Sequence, residues 1–273
     1  YIREINHNEL IILGDHMANK MINSCDTCGL CGAVCPKNIN MGEIISQTRR
    51  SMVVKNKMPP RAFDFGLKDM EFSTSEKFAM IKHQPGLDYS KYMFFPGCQL
   101  SSTSPYYVKK VYEYLISTTN LGVGVMLDCC GAPAEWAGKE DLFQSNADKL
   151  KQHWNAAGKP ILVMACSSCF NMFEKYIPEI TFVSLWDYMV EHGIPKKKEV
   201  SKIKTFAIHD ACSTRYNKKL QASVRKIINS LGYNIEELVN SKEKTECCGY
   251  GGLSYYSNRE QVEEHIKERT QES

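Results

Sequence analysis

The sequence predicts an α/β fold behind a helical N-terminal domain, and three observations support this. From Lys91 onward, short apolar runs alternate with amphipathic helical stretches, a pattern typical of a parallel sheet with crossover helices. Residues 1–58 have a helical pattern interrupted by one cysteine-rich loop. A Cys-Cys-Gly triplet occurs twice, beginning at Cys129 and at Cys247, which indicates that the α/β part is duplicated.

Domain boundaries follow from these changes of pattern. We expect a helical domain over 1–58, a Pro-punctuated linker over 59–90, a first triplet-containing unit over 91–200 and an incomplete second unit over 201–273. Within the helical domain, helices are expected between Asn8 and Asn23 and from Met41 to Val54, before Pro59-Pro60 stop the second.

Four short apolar runs are expected to be buried strands: Tyr92–Phe95, Val123–Leu127, Ile161–Met164 and Thr205–Ile208. The intervening helices carry apolar stripes that indicate core packing. A cysteine follows within a few residues of each run, at Cys98, Cys129, Cys166 and Cys212. Because ligands of open α/β sheets bind beyond the carboxyl ends of the strands, we expect these distant thiols to meet at one sheet edge.

Composition excludes several classes of function. A net charge of +3 on 273 residues does not favour a nucleic-acid partner, and Lys196-Lys197-Lys198 is expected to be a solvated loop. No apolar run in the sequence is long enough for a membrane span, and we expect no secretory leader. Because the chain begins at Tyr1 rather than Met, we expect it to be processed or to be part of a longer protein.

Cysteine usage indicates metal ligation rather than disulfide bonding. A chain of this length with twelve cysteines needs no disulfide staples, and its CxxC and CC spacings are typical of metal sites in a reducing compartment. We therefore expect a cytoplasmic protein, either free in the cytoplasm or bound at the cytoplasmic face of a membrane complex.

The first cysteine group is the run CxxCxxCxxxCP, formed by Cys25, Cys28, Cys31, Cys35 and Pro36. This is the bacterial ferredoxin signature, and it predicts a 4Fe–4S cluster rather than a zinc knuckle. In two-cluster ferredoxins the fourth cysteine of each run ligates the other cluster. Only one run is present here, so Cys35 either closes its own cluster or binds a second one.

The second group contains five thiols in the pattern C-x30-CCG-x34-CxxC: Cys98, Cys129, Cys130, Cys166 and Cys169. Five thiolates exceed what one tetrahedral zinc ion uses, and they suit an iron–sulfur cluster larger or less symmetric than a cubane. A zinc site that uses four of them is the alternative.

The third group contains Cys212, Cys247 and Cys248. Its spacing repeats the second group, since Cys98 lies 31 residues before Cys129 and Cys212 lies 35 before Cys247. The closing CxxC of the repeat would fall about eleven residues beyond Ser273 by the spacing of the first copy. This group therefore shows three of five expected ligands.

Together these motifs resemble the catalytic subunits of heterodisulfide reductase. The same modules occur in iron–sulfur subunits of anaerobic glycerol-3-phosphate dehydrogenase, glycolate oxidase and lactate-utilisation enzymes. The segments that carry the resemblance are Phe94-Phe95-Pro96-Gly97-Cys98, Asp128-Cys129-Cys130-Gly131-Ala132-Pro133 and Glu246-Cys247-Cys248-Gly249-Tyr250-Gly251-Gly252. The resemblance implies an N-terminal helical ferredoxin-like domain followed by two Rossmann-like CCG units.

The resemblance also implies a function. The five thiols of the first unit would hold a non-cubane 4Fe–4S cluster, and Cys212, Cys247 and Cys248 would bind zinc or a second cluster. The leading hypothesis is an anaerobic module that cleaves a small disulfide, with His209 as proton donor and with a flavoprotein or ferredoxin-like electron donor. Two alternatives stay open: an electron-relay subunit without a substrate site, and a zinc-stabilised scaffold. His209 could instead be a buried structural histidine. Arg215 could orient an anionic substrate, but it is expected to be a surface side chain at a helix start.

Overall fold

The computed structural model describes residues 16–57, 61–195 and 204–271. Its helices are α1 His16–Asn23, α2 Leu30–Val34, α3 Met41–Val54, α4 Asp64–Ser73, α5 Cys98–Thr103, α6 Pro105–Ser117, α7 Ala132–Trp136, α8 Glu140–Ala156, α9 Ser167–Tyr176, α10 Leu185–His192, α11 Lys218–Ser230, α12 Ser254–Ser257 and α13 Arg259–Gln271. Its strands are β1 Met80–Lys82, β2 Tyr92–Phe95, β3 Val123–Leu127, β4 Ile161–Met164, β5 Phe182–Ser184, β6 Thr205–Ile208 and β7 Asn234–Glu237. Short 3₁₀ helices occupy Arg61–Phe63, Cys212–Thr214, Lys242–Lys244 and Gly251–Leu253.

Five strands form one mixed sheet in the order β1-β3-β2-β4-β5. Strands β2 to β5 pair in parallel, with Tyr92 opposite both Val123 and Ile161, and β1 pairs antiparallel with β3. The crossover helices expected between parallel strands are present, because α6, α8 and α9 lie between successive strands of this sheet. The α/β fold is confirmed.

All four predicted strands occur with the predicted bounds, but β6 is not buried. It pairs in parallel with β7 in a two-stranded sheet, and Thr205, Phe206 and Ala207 are exposed. The prediction of a buried strand was wrong here because a two-stranded ribbon offers few neighbouring side chains to cover it. Strands β1, β5 and β7 were not predicted, since they are short and their burial does not follow a clear apolar period.

The described residues divide into two compact units. The helical unit takes its residues from 1–70, 132–144 and 239–273, and the sheet unit comprises 71–131 and 145–238. Ile22, Ile45, Phe63 and Leu253 belong to the core of the helical unit. The core of the sheet unit comprises Tyr92, Phe94, Leu115, Val123, Val163, Leu185 and Tyr188.

Other predictions have mixed outcomes. Helix α3 has the predicted bounds, whereas only His16–Asn23 of the first predicted helix is described. Pro59-Pro60 and the Lys196–Lys198 loop lie outside the described residues. The domain boundaries at 58, 90 and 200 stay a prediction. No helix in the described ranges has the length and hydrophobicity needed to cross a bilayer.

Candidate functional site

The first CCG set is assembled at the ends of three neighbouring strands of the sheet unit. Cys98 follows β2, Cys129 and Cys130 follow β3, and Cys166 follows β4 and precedes helix α9, which carries Cys169. Since β3, β2 and β4 are adjacent and parallel, their carboxyl ends reach the same sheet edge. The expectation that sequence-distant thiols meet there is confirmed for this set.

Side-chain interactions connect all five sulfurs in one continuous chain. The Cys98 thiol donates to the Cys129 sulfur over 3.6 Å, and Cys129 also interacts with Cys130. Cys169 interacts with both Cys130 and Cys166. None of these five cysteines forms a disulfide, so their sulfurs can act as one group of metal ligands.

These bonds separate the acidities of the five thiols. Hydrogen bonds from Cys129 and Cys169 lower the pKa of Cys130 to about 6. The bond from Cys169 likewise lowers the pKa of Cys166 to about 6. The donors Cys129 and Cys169 have raised pKa values because they hydrogen-bond to these acceptors and are buried. The set therefore contains two sulfurs that favour the thiolate, which is the form that binds iron.

Three polar side chains fix the backbone of the first triplet. Asp128 is buried at the end of β3, and its carboxylate accepts the Cys129 backbone N–H at 2.8 Å. His153 lies 3.1 Å from the other carboxylate oxygen, and Asn146 donates to the Cys129 carbonyl at 3.0 Å. None of these three residues was predicted as part of the site from the sequence. An aspartate directly before the triplet was the available signal, whereas the two α8 side chains require the fold.

Cys212 lies in a 3₁₀ helix that packs against α9, the helix carrying Cys169. The loop before it is fixed by Arg225, whose guanidinium binds both carboxylate oxygens of Asp210 at 2.9 and 2.8 Å. Gln221 donates to the carbonyls of Thr214 and Arg215 at 3.2 and 2.9 Å. The sheet unit thus brings Cys212 next to the CxxC helix of the first set.

Two predictions near Cys212 were wrong. Arg215 was expected at the surface, but only 3% of it is exposed, because its turn is held against Gln221 of α11. The alternative of a buried structural His209 is also contradicted, because His209 is exposed at the end of an exposed strand. Exposure leaves the proposed proton-donor role of His209 sterically open.

Cys247 and Cys248 belong to the helical unit, whereas Cys212 belongs to the sheet unit. The Gly249 N–H donates to the Cys247 sulfur at 3.3 Å, and Gly249 packs against Val262 of α13. A Cβ on Gly252 would lie 2.5 Å from the Cys25 carbonyl oxygen, so this glycine admits the backbone of the ferredoxin-type run.

The ferredoxin-type run forms a tight loop around helix α2. The Thr27 N–H points to the Cys25 sulfur at 3.4 Å, and the Met41 N–H donates to Cys31 at 3.1 Å. Backbone N–H groups of residues 37 to 39 hydrogen-bond to Cys35 and lower its pKa. Backbone donors directed at cysteine sulfurs are what a 4Fe–4S loop requires, so the residues present fit this cofactor.

Among the described residues, no three His, Cys, Asp or Glu side chains converge on a position that could hold one metal ion. Five thiols are more than one tetrahedral zinc ion binds, whereas the ligands of an iron–sulfur cluster are distributed over several irons.

Comparison with known proteins gives two family matches. The cysteine-rich domain, CCG, matches residues 92–174 and 206–273, which is more than half of the chain. A 4Fe-4S dicluster domain matches residues 1–40. No solved structure shows a significant match.

Curated proteins from anaerobic organisms and methanogens are similar to this chain at low sequence identity. The EtfAB:quinone oxidoreductase of Syntrophomonas wolfei is 21% identical over 95% of this chain and 40% of its own length. One subunit of the fumarate reductase (CoM/CoB) of Methanothermobacter marburgensis is 23% identical over 84% of this chain and 48% of its own length. One subunit of the dihydromethanophenazine:CoB–CoM heterodisulfide reductase of Methanosarcina barkeri is 24% identical over 85% and 62%, respectively. The chain spans about half the length of the curated relatives it matches, and the resemblance to heterodisulfide reductase subunits is confirmed.

Proposed function

This chain belongs to the CCG cysteine-rich domain family, and from that premise we propose that it is an iron–sulfur oxidoreductase module that reductively cleaves a disulfide. Electrons would enter at a ferredoxin-type cluster and pass to a cluster at the first CCG set. The observation that carries the proposal is the continuous chain of five sulfurs from Cys98 to Cys166. Such a donor set suits redox chemistry at a cluster better than a structural ion.

The proposed ligands fall into three groups. A ferredoxin-type 4Fe–4S cluster would be held by Cys25, Cys28, Cys31 and Cys35. A non-cubane 4Fe–4S cluster would be held by Cys98, Cys129, Cys130, Cys166 and Cys169. Zinc or a second cluster would be held by Cys212, Cys247 and Cys248.

Cleaving a disulfide consumes two electrons and two protons and yields two thiols. The bound clusters would supply the electrons one at a time. His209 would donate a proton to a leaving thiolate, since it is exposed and lies three residues before Cys212. Cys212 sits on an element packed against α9, so a substrate at this edge of the sheet would lie near both Cys212 and the first set.

A pure electron-relay subunit is the second candidate function, and one observation favours it. The second CCG group has three of the five expected cysteines in this chain, and they belong to different compact units. A relay between a dehydrogenase partner and a quinone or other carrier needs no disulfide site. In either case we propose redox-subunit partners, namely a flavoprotein or a ferredoxin-like donor, and a cytoplasmic location.

Metal content and turnover assays distinguish the disulfide-cleaving module from the electron relay and from the zinc-stabilised scaffold. After anaerobic reconstitution, we expect about eight irons per chain with equivalent acid-labile sulfide, as two 4Fe–4S clusters require. A content of about four irons and one zinc would instead support the zinc-stabilised alternative. Reduced viologen dye, titrated with a panel of small disulfides, should be oxidised with release of two thiols per disulfide. Intact clusters without turnover of any disulfide would leave only the relay.

A further inference from the structure

Arg49 is the largest fully buried side chain of the described residues, and it joins three segments of the helical unit. Its Nη1 donates to the carbonyl oxygens of Trp136 at 2.9 Å and Gly252 at 2.8 Å. Its Nη2 donates to the carbonyl oxygens of Ile22 and Cys25, each at 2.9 Å. One guanidinium therefore holds the first cysteine of the ferredoxin-type run against the segments that follow both CCG triplets.

Burying a guanidinium is costly unless its N–H groups are satisfied. The four acceptors just named are carbonyl oxygens, and they satisfy N–H groups on both Nη atoms. The ring of Phe63 adds a cation–π contact, with the guanidinium carbon 5.6 Å from the ring centroid. The Arg49 guanidinium therefore lies buried inside the helical unit, in direct contact with the Cys25 backbone.

The packing around Arg49 leaves little room for adjustment. A Cβ on Gly252 would lie 2.5 Å from the Cys25 carbonyl oxygen, and one on Gly138 would lie 2.6 Å from the Arg49 carbonyl carbon. Both glycines have positive φ, at +66° and +74°. The turn after the second triplet therefore leaves the space in which the Cys25 carbonyl oxygen contacts the Arg49 guanidinium.

We propose that Arg49 is a positioning residue for the ferredoxin-type cluster: it fixes the Cys25 ligand loop and favours the reduced cluster electrostatically. This inference rests on the proposed function, because it assumes that the run from Cys25 to Cys35 holds such a cluster. It assigns to the segment after the second triplet a role at the ferredoxin-type site, which the sequence motifs do not suggest.

Electrostatics supports the second part of the proposal. Reduction adds one negative charge, and a cation in a low-dielectric surrounding stabilises that charge more than it would in water. The Arg49 Nη2 lies 2.9 Å from the Cys25 carbonyl oxygen, so the guanidinium charge is held beside the residue that supplies the first sulfur of the run.

Two substitutions separate charge from geometry. Arg49→Met removes both, and we expect a reduction equilibrium at least tenfold less favourable, which is 59 mV for a one-electron couple. Arg49→Lys keeps the charge but cannot bind four carbonyls, so we expect the parent potential with several-fold faster iron loss to a chelator. The reduction potential of both variants is measured on the reconstituted chain by EPR-monitored redox titration. The signal followed is the one that Cys28→Ser abolishes.

Matched controls come from the same chain. Arg50→Met changes the neighbouring arginine, which is partly exposed and paired with Glu135 at 3.3 Å, and should leave the potential unchanged. Gly252→Ala should speed iron loss by displacing the Cys25 carbonyl. Gly86→Ala should not, since Gly86 has a similar φ of +84° but no neighbouring atom within 4 Å of its would-be Cβ.

The outcomes distinguish the two levels of inference. A parent chain that binds no iron and sulfide at the ferredoxin-type run overturns the proposed function itself. A loaded parent whose Arg49→Met variant keeps the parent potential overturns the electrostatic role. Should circular dichroism show Arg49→Met to be unfolded, Arg49→Lys and Gly252→Ala decide: parent-like iron retention in both overturns the positioning role.

Discussion

The two Cys-Cys-Gly triplets have the same sequence but different surroundings. At Cys129 and Cys130 the sulfurs hydrogen-bond to cysteines from two other strand ends. At Cys247 the sulfur accepts a local backbone N–H, and the glycine that follows packs against Val262. The turn after the second triplet then lies against the Cys25 loop.

This difference teaches that the motif by itself does not define a site. A triplet becomes part of a five-thiol set only where parallel strands deliver further cysteines to the same edge. Strand β2 has neighbours on both sides, β3 and β4, and the cysteines that follow these three strands join the set. Strand β6 pairs with β7 alone within the described residues, and the second triplet belongs to the other compact unit.

The largest expected contrast is in iron content. Cys130→Ser should lose about four irons per chain, because Cys130 is the central sulfur that accepts from both Cys129 and Cys169. Cys248→Ser is the matched change in the second triplet, and it should retain the roughly eight irons expected at the ferredoxin-type run and the first CCG set. Iron and acid-labile sulfide assays after anaerobic reconstitution measure both variants. Equal losses from the two variants would show that the triplets are functionally equivalent.

The next contrast concerns stability near Cys212. The loop before Cys212 is held by an ion pair, since Asp210 is 4% exposed and binds Arg225 through both oxygens. Asp210→Ala should lower the free energy of unfolding by about 3 kcal/mol, the usual cost of removing one partner of a buried pair. Urea denaturation of the metal-free chain measures it.

An exposed ion pair supplies the control for this substitution. Glu191 pairs with Lys219 at 2.9 Å, and both side chains are at least half exposed. Glu191→Ala should therefore cost less than about 1 kcal/mol, because solvent screens the pair. A cost for Asp210→Ala no larger than that of Glu191→Ala would mean that Glu237, the other partner of Arg225, suffices to hold the loop.

Sequence reasoning recovered what depends on local pattern. Strands β2, β3, β4 and β6, and the cysteines after them, were predicted because apolar runs and ligand spacings are readable along the chain. The burial of β6 was not, since it depends on how many strands lie beside it. The contacts of Arg49 were also missed, because its four carbonyl partners lie 24, 27, 87 and 203 residues away along the chain.

The smallest contrast compares the glycines beside the two cysteine groups. Gly97 and Gly249 have positive φ, at +84° and +77°, so either alanine substitution should cost about 1–2 kcal/mol of stability. Only Gly97→Ala should also release iron, because its Cβ would lie 3.1 Å from the Cys166 Cβ and 3.3 Å from the Cys169 sulfur. Thermal denaturation and iron assays measure the two effects separately.

A rescue variant tests the same contrast from the other side. The Cβ of Gly249→Ala would meet the Val262 side chain at 2.5 Å, so adding Val262→Ala should recover part of the lost stability. No single truncation should rescue Gly97→Ala, because the atoms it meets belong to two cysteines of the first set. Loss of iron from Gly249→Ala, reversed by Val262→Ala, would show that the second triplet does hold iron and that its packing against α13 supports it.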